Sequence, residues 1–205
     1  MKESLQLHLE VGSKMLLNRL DLPQATIWSS HQFIPSRDAN NLYHQLLDST
    51  PWKQESIKIF GKQVPQPRLQ AWYGERDYQY SGLKLTPIPL PDFLLPLKQQ
   101  CELAVNQKFN SVLINLYRDG EDSMGWHQDN EPELGEQPVI ASISLGAERK
   151  FSIKHLTTNE KHHFQLSHGS LLIMGGKMQH HWKHCLPKTR RAISSRINLT
   201  FRYIY

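Results

Sequence analysis

Residues 194–205 read SSRINLTFRYIY, and their alternation points to a β-strand. Arg196, Asn198, Thr200 and Arg202 fall on one face, and Ile197, Leu199, Phe201 and Tyr203 on the other. A period of two is the signature of extended backbone, because successive side chains point to opposite faces. Two readings of the polar face stay open. It is either the solvated outside of a sandwich strand or a wall that looks into a barrel. In the second case two arginines stand indoors and need anions. A small dicarboxylate suits them, because the guanidinium fork pairs carboxylates bidentately.

The pattern extends upstream. Residues 111–117 read SVLINLY, with Ser111, Leu113, Asn115 and Tyr117 opposite Val112, Ile114 and Leu116. Asn115 and Tyr117 offer an amide and a phenol to a bound oxygen. Further strands are expected at 139–145, 150–154, 163–166, 170–174 and 195–204. Short strands cut by Gly, Pro and Asp turns argue for an antiparallel sandwich or barrel. Before position 110 the pattern is helical in two places. Leu42, Tyr43, Leu46 and Leu47 recur at helical spacing in 36–49, with Ser36 as the expected cap. Leu97, Cys101, Ala104 and Val105 line a second helix over 92–109, with Pro96 in its first turn. Between them, prolines and aromatics mark a loop-and-hairpin region in which 57–62, IKIFGK, enters a turn at Gly61. Residues 1–30 show little pattern and are expected to form an arm. The remainder, 31–205, reads as one compact domain of mainly β, α+β class.

Composition narrows the setting. At 205 residues and 39% hydrophobic content the chain can bury a core without staples. Two cysteines, Cys101 and Cys185, make no disulfide scaffold and fit a reducing compartment. No apolar run approaches the roughly 20 residues of a membrane span. The start lacks an apolar signal-peptide core, so no secretory route is expected. The net charge of +5 permits a polyanionic partner.

Eleven histidines invite a search for ligands. In GWHQD, His127 and Asp129 lie two apart and share a face on extended chain. Two His and one carboxylate on one face of a metal leave open positions for substrate and oxygen. The third ligand must come from HHWKH, where His180, His181 and His184 compete. Spacing alone does not choose among them. A helical reading would make His180 and His184 a separate zinc-type site, although Pro187 and the strand-like sequence beyond it oppose a long helix.

In order, N-x-Y (115–117), H-x-D (127–129), H (184) and R-x-N-x-T-x-R (196–202) resemble the AlkB family of iron(II)- and 2-oxoglutarate-dependent dioxygenases. The likeness includes FGK (60–62), PRLQAWYG (67–74), SGL (81–83), LINLYRDGEDSMGWHQD (113–129), ASISLGAERKF (141–151), HGSLLIM (168–174) and HCLP (184–187). It covers roughly 57–204 and is nearest to the duplex-acting DNA-repair branch. The resemblance implies a double-stranded β-helix, or jelly-roll, core at 111–205. N-terminal helices would pack on it, and a nucleotide-recognition hairpin region would occupy 57–90. It implies Fe(II) held by His127, Asp129 and His184, with O2 as oxidant. It implies 2-oxoglutarate held by Arg196 and Arg202, with Asn115, Tyr117 and Thr200 completing the pocket. Six residues of strand span about 20 Å, longer than that cosubstrate, so both arginines reach it only by leaning or through a bulge. The implied reaction removes alkyl groups from bases such as 1-methyladenine and 3-methylcytosine in DNA or RNA, yielding succinate and formaldehyde.

A base inside a duplex must be flipped out to reach such a pocket. By resemblance Phe60 is the finger that fills the gap, Tyr73 or its neighbour Trp72 stacks on the base, and Glu131 approaches the base edge. Arg68, with Lys58, Lys62 and Lys84, would meet phosphates. A monomer in the cytoplasm, or in the nucleus of a eukaryote, fits this picture. Two other functions compete: an oxygenase of the same fold acting on a protein or small molecule, and a non-catalytic β module that binds nucleic acid.

Overall fold

The computed structural model describes residues 17–59, 61–80 and 83–205. The elements in chain order begin with β1 (Asn18–Leu22), β2 (Ala25–Ser30), α1 (Ser36–Ser49), β3 (Ser56–Ile59), β4 (Lys62–Pro65), β5 (Leu69–Gly74), β6 (Tyr78–Tyr80) and β7 (Leu83–Leu85). A 3-10 turn at Asp92–Leu94 leads into α2 (Leu95–Val105), followed by β8 (Ser111–Tyr117) and β9 (Met124–His127). Then come β10 (Ile140–Gly146), β11 (Arg149–His155), β12 (Lys161–Leu166), β13 (Ser170–Gly176), α3 (Met178–His181), β14 (Trp182–Leu186) and β15 (Arg196–Arg202).

The strands form a seven-stranded sheet, β1-β2-β13-β10-β15-β8-β5, and a four-stranded sheet, β12-β11-β14-β9. From β8 onward the chain commutes between them, so eight strands build a jelly roll. All seven residues of β8 and all seven of β15 are buried. The solvated-face reading of β15 is therefore excluded. One face of the large sheet carries Val112, Ile114, Ile143, Ile173, Ile197, Leu199 and Phe201. It packs against Ala39, Leu42 and Leu46 of α1 and Leu97 and Cys101 of α2. Each fully buried Leu, Ile or Phe here contributes about 1.5–3 kcal/mol relative to exposure. The opposite face looks toward the small sheet. At one end it closes in a second cluster around Ile153, Leu172, Met174 and Trp182.

Three expectations are corrected. Residues 18–30 are not an arm: β1 and β2 form a hairpin, and β2 pairs with β13 from Ser30↔Leu171 to Ala25↔Gly176. Its apolar alternation is only Ala25 and Ile27, too short to stand out, yet Ile27 is 1% exposed. Pro35, not Ser36, occupies the cap position of α1, because proline already holds the φ of −53° that leads into the helix. The second helix stops at Val105, where Asn106 adopts left-handed φ, and five residues separate it from β8. The turn at Gly61 stands as expected, with φ +81° between the paired β3 and β4. Phe60 lies outside the described residues.

Candidate metal and cosubstrate site

Strand register resolves the choice of third ligand. β9 and β14 pair antiparallel with His127 directly opposite His184. The two rings come within 4.1 Å, centroid to centroid. Asp129, two residues past the end of β9, turns back beneath them. Its Oδ1 lies 3.6 Å from His127 Nε2 and its Oδ2 lies 3.9 Å from His184 Nε2. One donor atom from each of the three residues falls within 4.8 Å of the others. His180 and His181 are excluded from this cluster because they belong to α3, ahead of the strand. His180 Nε2 donates to the Glu136 carbonyl, and His181 stacks on His155.

The protonation states suit a cation. Burial pushes the His184 imidazole down to about 3, with His127 adding to the effect. Burial also holds His127 below the ordinary histidine range. Burial works to raise the Asp129 carboxyl, but Arg202, whose Nη2 is 3.6 Å from Oδ2, together with His184, His127 and Arg68 outweighs it and holds the group below the usual carboxylate range. Near neutral pH the cluster is two neutral imidazoles and one carboxylate. His127 Nδ1 donates to the Gly125 carbonyl at 2.9 Å, which leaves its Nε2 lone pair toward the cluster. This N2O donor set, on one side of a small space, matches a divalent transition metal with open positions.

The cluster forms one end of a cavity of about 570 Å3, open mouth included. Its walls include Asn115, Tyr117, Thr200, Arg196 and Arg202 from the large sheet and Phe151, His184 and Leu186 from the small one. Arg202 stands at the metal end. Arg196 stands at the far end, its guanidinium 5.4 Å from the centroid of the Tyr117 ring and its Nη2 donating to Ser144 Oγ at 2.9 Å. Its Nε has no hydrogen-bond partner, and among the described residues no carboxylate lies within ion-pairing distance of it. Burial lowers its pKa to about 10, which still leaves it charged at pH 7. A buried charge without a counter-ion is costly. The far end is therefore built for an anion, and a dicarboxylate with one end at the metal fits the cavity's polarity.

No bulge shortens β15. Its residues pair one for one with β8, from Arg196↔Tyr117 to Arg202↔Ser111. Both arginines line one cavity, from opposite ends of the strand.

The expected substrate residues scatter. Arg68 is 3% exposed, donates from Nε to Asn115 Oδ1 at 2.9 Å and also bonds Gln66. It is a cavity wall, so its expected phosphate contact is corrected. Tyr73 faces the helix-side core, because β5 pairs with β8 in a register that sets Tyr73 beside Val112 and Trp72 beside Leu113. A stacking role for Tyr73 is thereby corrected. Trp72 lies on the site side, packed with Leu113, Leu134 and Ile204. Glu131 is half-buried at the start of the Pro132–Leu134 turn. Asn198, which the sequence places on the polar face without a role, donates from Nδ2 to Ser142 Oγ and to the Ile143 carbonyl, each at 2.8 Å. Its place on the polar face of β15 is the signal that the sequence offers for it. Ser142 has none, because only register puts it opposite Thr200.

A family model for the 2OG-Fe(II) oxygenase superfamily matches residues 27–202. The alpha-ketoglutarate-dependent dioxygenase alkB homolog 3 of Bos taurus is 42% identical over 183 residues, covering 84% of this chain and 64% of that protein. The DNA oxidative demethylase ALKBH2 of Bos taurus is 42% identical over 158 residues, covering 72% of this chain and 57% of that protein. This chain thus spans less than two thirds of the length of either relative. The solved structure of OsALKBH1 superposes with a TM-score of 0.67 at 18% identity, covering 92% of this chain and all of that one, a likeness of fold. With the metal and anion ends of one jelly-roll cavity in place, the chain belongs to the 2OG-Fe(II) oxygenase superfamily and, within it, to the AlkB family.

Proposed function

We propose that the chain is an Fe(II)- and 2-oxoglutarate-dependent dioxygenase that removes alkyl groups from nucleobases such as 1-methyladenine and 3-methylcytosine in DNA or RNA. The observation that carries this is the bipolar cavity, with His127, Asp129 and His184 at one end and an uncompensated Arg196 at the other. The relatives named as dioxygenase and DNA demethylase support the substrate class.

His127, Asp129 and His184 would hold the iron. Arg196, with Tyr117 and Ser144, would hold the distal carboxylate of 2-oxoglutarate. Arg202 would steady Asp129 and the near end, and Asn115 and Thr200 would line the space between. When bound, iron, cosubstrate and O2 supply the oxidation of the N-alkyl carbon, coupled to decarboxylation to succinate, after which a hydroxylated methyl group leaves as formaldehyde. The protein's share is to position the base and exclude water. We assign base recognition to 57–90, where two ribbons, β3–β4 and β6–β7, stand outside the main sheets. Phe60 would enter the gap left by a flipped base, and Glu131 would approach the base edge. No helix among the described residues is long and apolar enough to cross a membrane. We further propose that the chain acts inside the cell as a monomer, which size-exclusion chromatography tests.

The deciding experiment incubates the protein with Fe(II), ascorbate, 2-oxoglutarate and a 1-methyladenine oligonucleotide, single- or double-stranded. Succinate and repaired base are followed by mass spectrometry. Repaired base is expected. Succinate without repair of any methylated oligonucleotide overturns the nucleobase assignment and leaves a same-fold oxygenase with another substrate. Phe60→Ala should impair duplex repair most.

A further inference from the structure

Asp129 is the ligand least secured by the fold. His127 and His184 are fixed by strand pairing, whereas Asp129 lies beyond the end of β9 in a segment without regular structure. Its position must be set by something else. Arg202 pairs with its carboxylate, and its backbone is held by Gln179, which is 0% exposed and belongs to the single helical turn α3. Gln179 Oε1 accepts the backbone N–H of Asp129 at 3.0 Å. The Gln179 carbonyl accepts Gln128 Nε2 at 2.7 Å. The amide cannot turn over without loss, because its Nε2 faces the Met174 thioether at 3.8 Å and an N–H cannot accept the Asp129 N–H.

The turn that carries Gln179 is itself anchored. Lys177 N–H donates to the Gln24 carbonyl at 2.9 Å, and Leu156 N–H donates to the His181 carbonyl at 2.8 Å. Met178 and Trp182, on either side, are fully buried. Further along the same loop, the Glu136 carbonyl accepts His180 Nε2. A rigid turn five residues ahead of His184 thus clasps the Asp129 loop at three points.

We propose that Gln179 is a positioning residue, which holds the Asp129 carboxylate in register with the two histidines through the backbone of Asp129. The proposal rests on these three residues as the metal site. Its physical basis is that partners outside the ligand set typically govern about 10–100-fold in metal affinity.

The test compares the full chain with Gln179→Met, which conserves volume but removes the acceptor. Two measurements are made: amide hydrogen exchange of the 128–130 segment without metal, and Mn(II) affinity by calorimetry. Exchange at Asp129 should quicken at least about 10-fold, and Mn(II) should bind about 10-fold or more weakly. Unchanged exchange and an affinity within twofold of the unaltered chain overturn the proposal. A residue important only for core packing would lower the melting temperature without changing the affinity of the folded protein, and that result overturns it as well. If Gln179→Met does not fold, Gln128→Ala removes the other half of the clasp from a half-buried position and should show both effects more weakly. Unchanged exchange and affinity in Gln128→Ala then overturn the proposal. The exchange measurement needs no metal. Failure of the unaltered chain to bind Mn(II) therefore overturns the metal-site reading, and unaltered exchange overturns the clasp.

Discussion

Arg202 and Asp129 form a buried ion pair, 3.6 Å from Nη2 to Oδ2, between the last strand of the large sheet and the loop after β9. The pair joins the cosubstrate wall to the metal cluster and helps to hold the carboxyl below its usual range against the opposing effect of burial. Asp129→Ala removes a donor and leaves positive charge at the metal end. Changes beyond the ligand set already cost about 10–100-fold in affinity, so turnover of 2-oxoglutarate should fall by more than about 1,000-fold. Oligonucleotide affinity, measured by fluorescence anisotropy, should stay within about threefold, because phosphate contacts dominate it. Parallel loss of both would show that Asp129 supports the whole fold.

Arg196 predicts opposite effects on stability and binding. Its charge is desolvated, and among the described residues no carboxylate lies within ion-pairing distance of it. Arg196→Met removes that cost, and apolar replacement of buried charge is often neutral or stabilising. The melting temperature of the ligand-free protein should therefore hold or rise. The KM for 2-oxoglutarate should increase about 10–100-fold, the equivalent of the roughly 1.5–3 kcal/mol of a charged hydrogen bond. A fall in melting temperature with unchanged KM would place Arg196 in the scaffold instead.

These contrasts show what the sequence could carry. The alternation of β15 and β8 is local, so Asn115, Tyr117, Arg196, Thr200 and Arg202 are readable as one polar set. Whether that set faces water or a cavity depends on a second sheet, which no local pattern reveals. His127 and Asp129 are neighbours in the chain, but His184 is selected over His180 and His181 only by its pairing with His127. The side that Tyr73 faces is hidden for a related reason. Its neighbour Trp72 is just as aromatic, and only the register with Val112 and Leu113 decides which ring faces the site. Gln179 carries no signal at all, since a glutamine in a one-turn helix is ordinary until its partner is known.

Gly146 tests how tightly the far end of the cavity is closed. It sits at the end of β10 with φ +84°, and an added Cβ would meet the Ser195 carbonyl oxygen at 2.4 Å and the Tyr43 ring at 2.8 Å. The backbone conformation alone costs a non-glycine residue about 1–3 kcal/mol. Gly146→Ala should cost more than that range in chemical denaturation. Because Gly146 pairs with Arg196, the KM for 2-oxoglutarate should rise too. A loss below about 1 kcal/mol would mean that the turn relaxes without strain.

Acid sensitivity should trace to two structural carboxylates outside the metal cluster. Glu102 accepts Lys98 Nζ and the Phe109 N–H, both at 2.8 Å, and Lys108 Nζ at 3.4 Å. Burial acts to raise its pKa, but these partners outweigh it and hold the group below its ordinary value. In Asp122, burial is likewise outweighed by Arg118, which donates through its backbone N–H, Nε and Nη2. A carboxyl depressed in the folded state stabilises it at pH above the unfolded value, about 3.9–4.3. That contribution disappears as pH falls through the folded value. The melting temperature should thus be level in this respect from pH 7 to about pH 5 and decline below about pH 4. Glu102→Gln should lower the melting temperature at pH 7 and flatten the decline, because a neutral amide has no proton to take up. If the variant and the unaltered chain lose stability with the same slope between pH 5 and pH 3, Glu102 is not a source of the acid sensitivity.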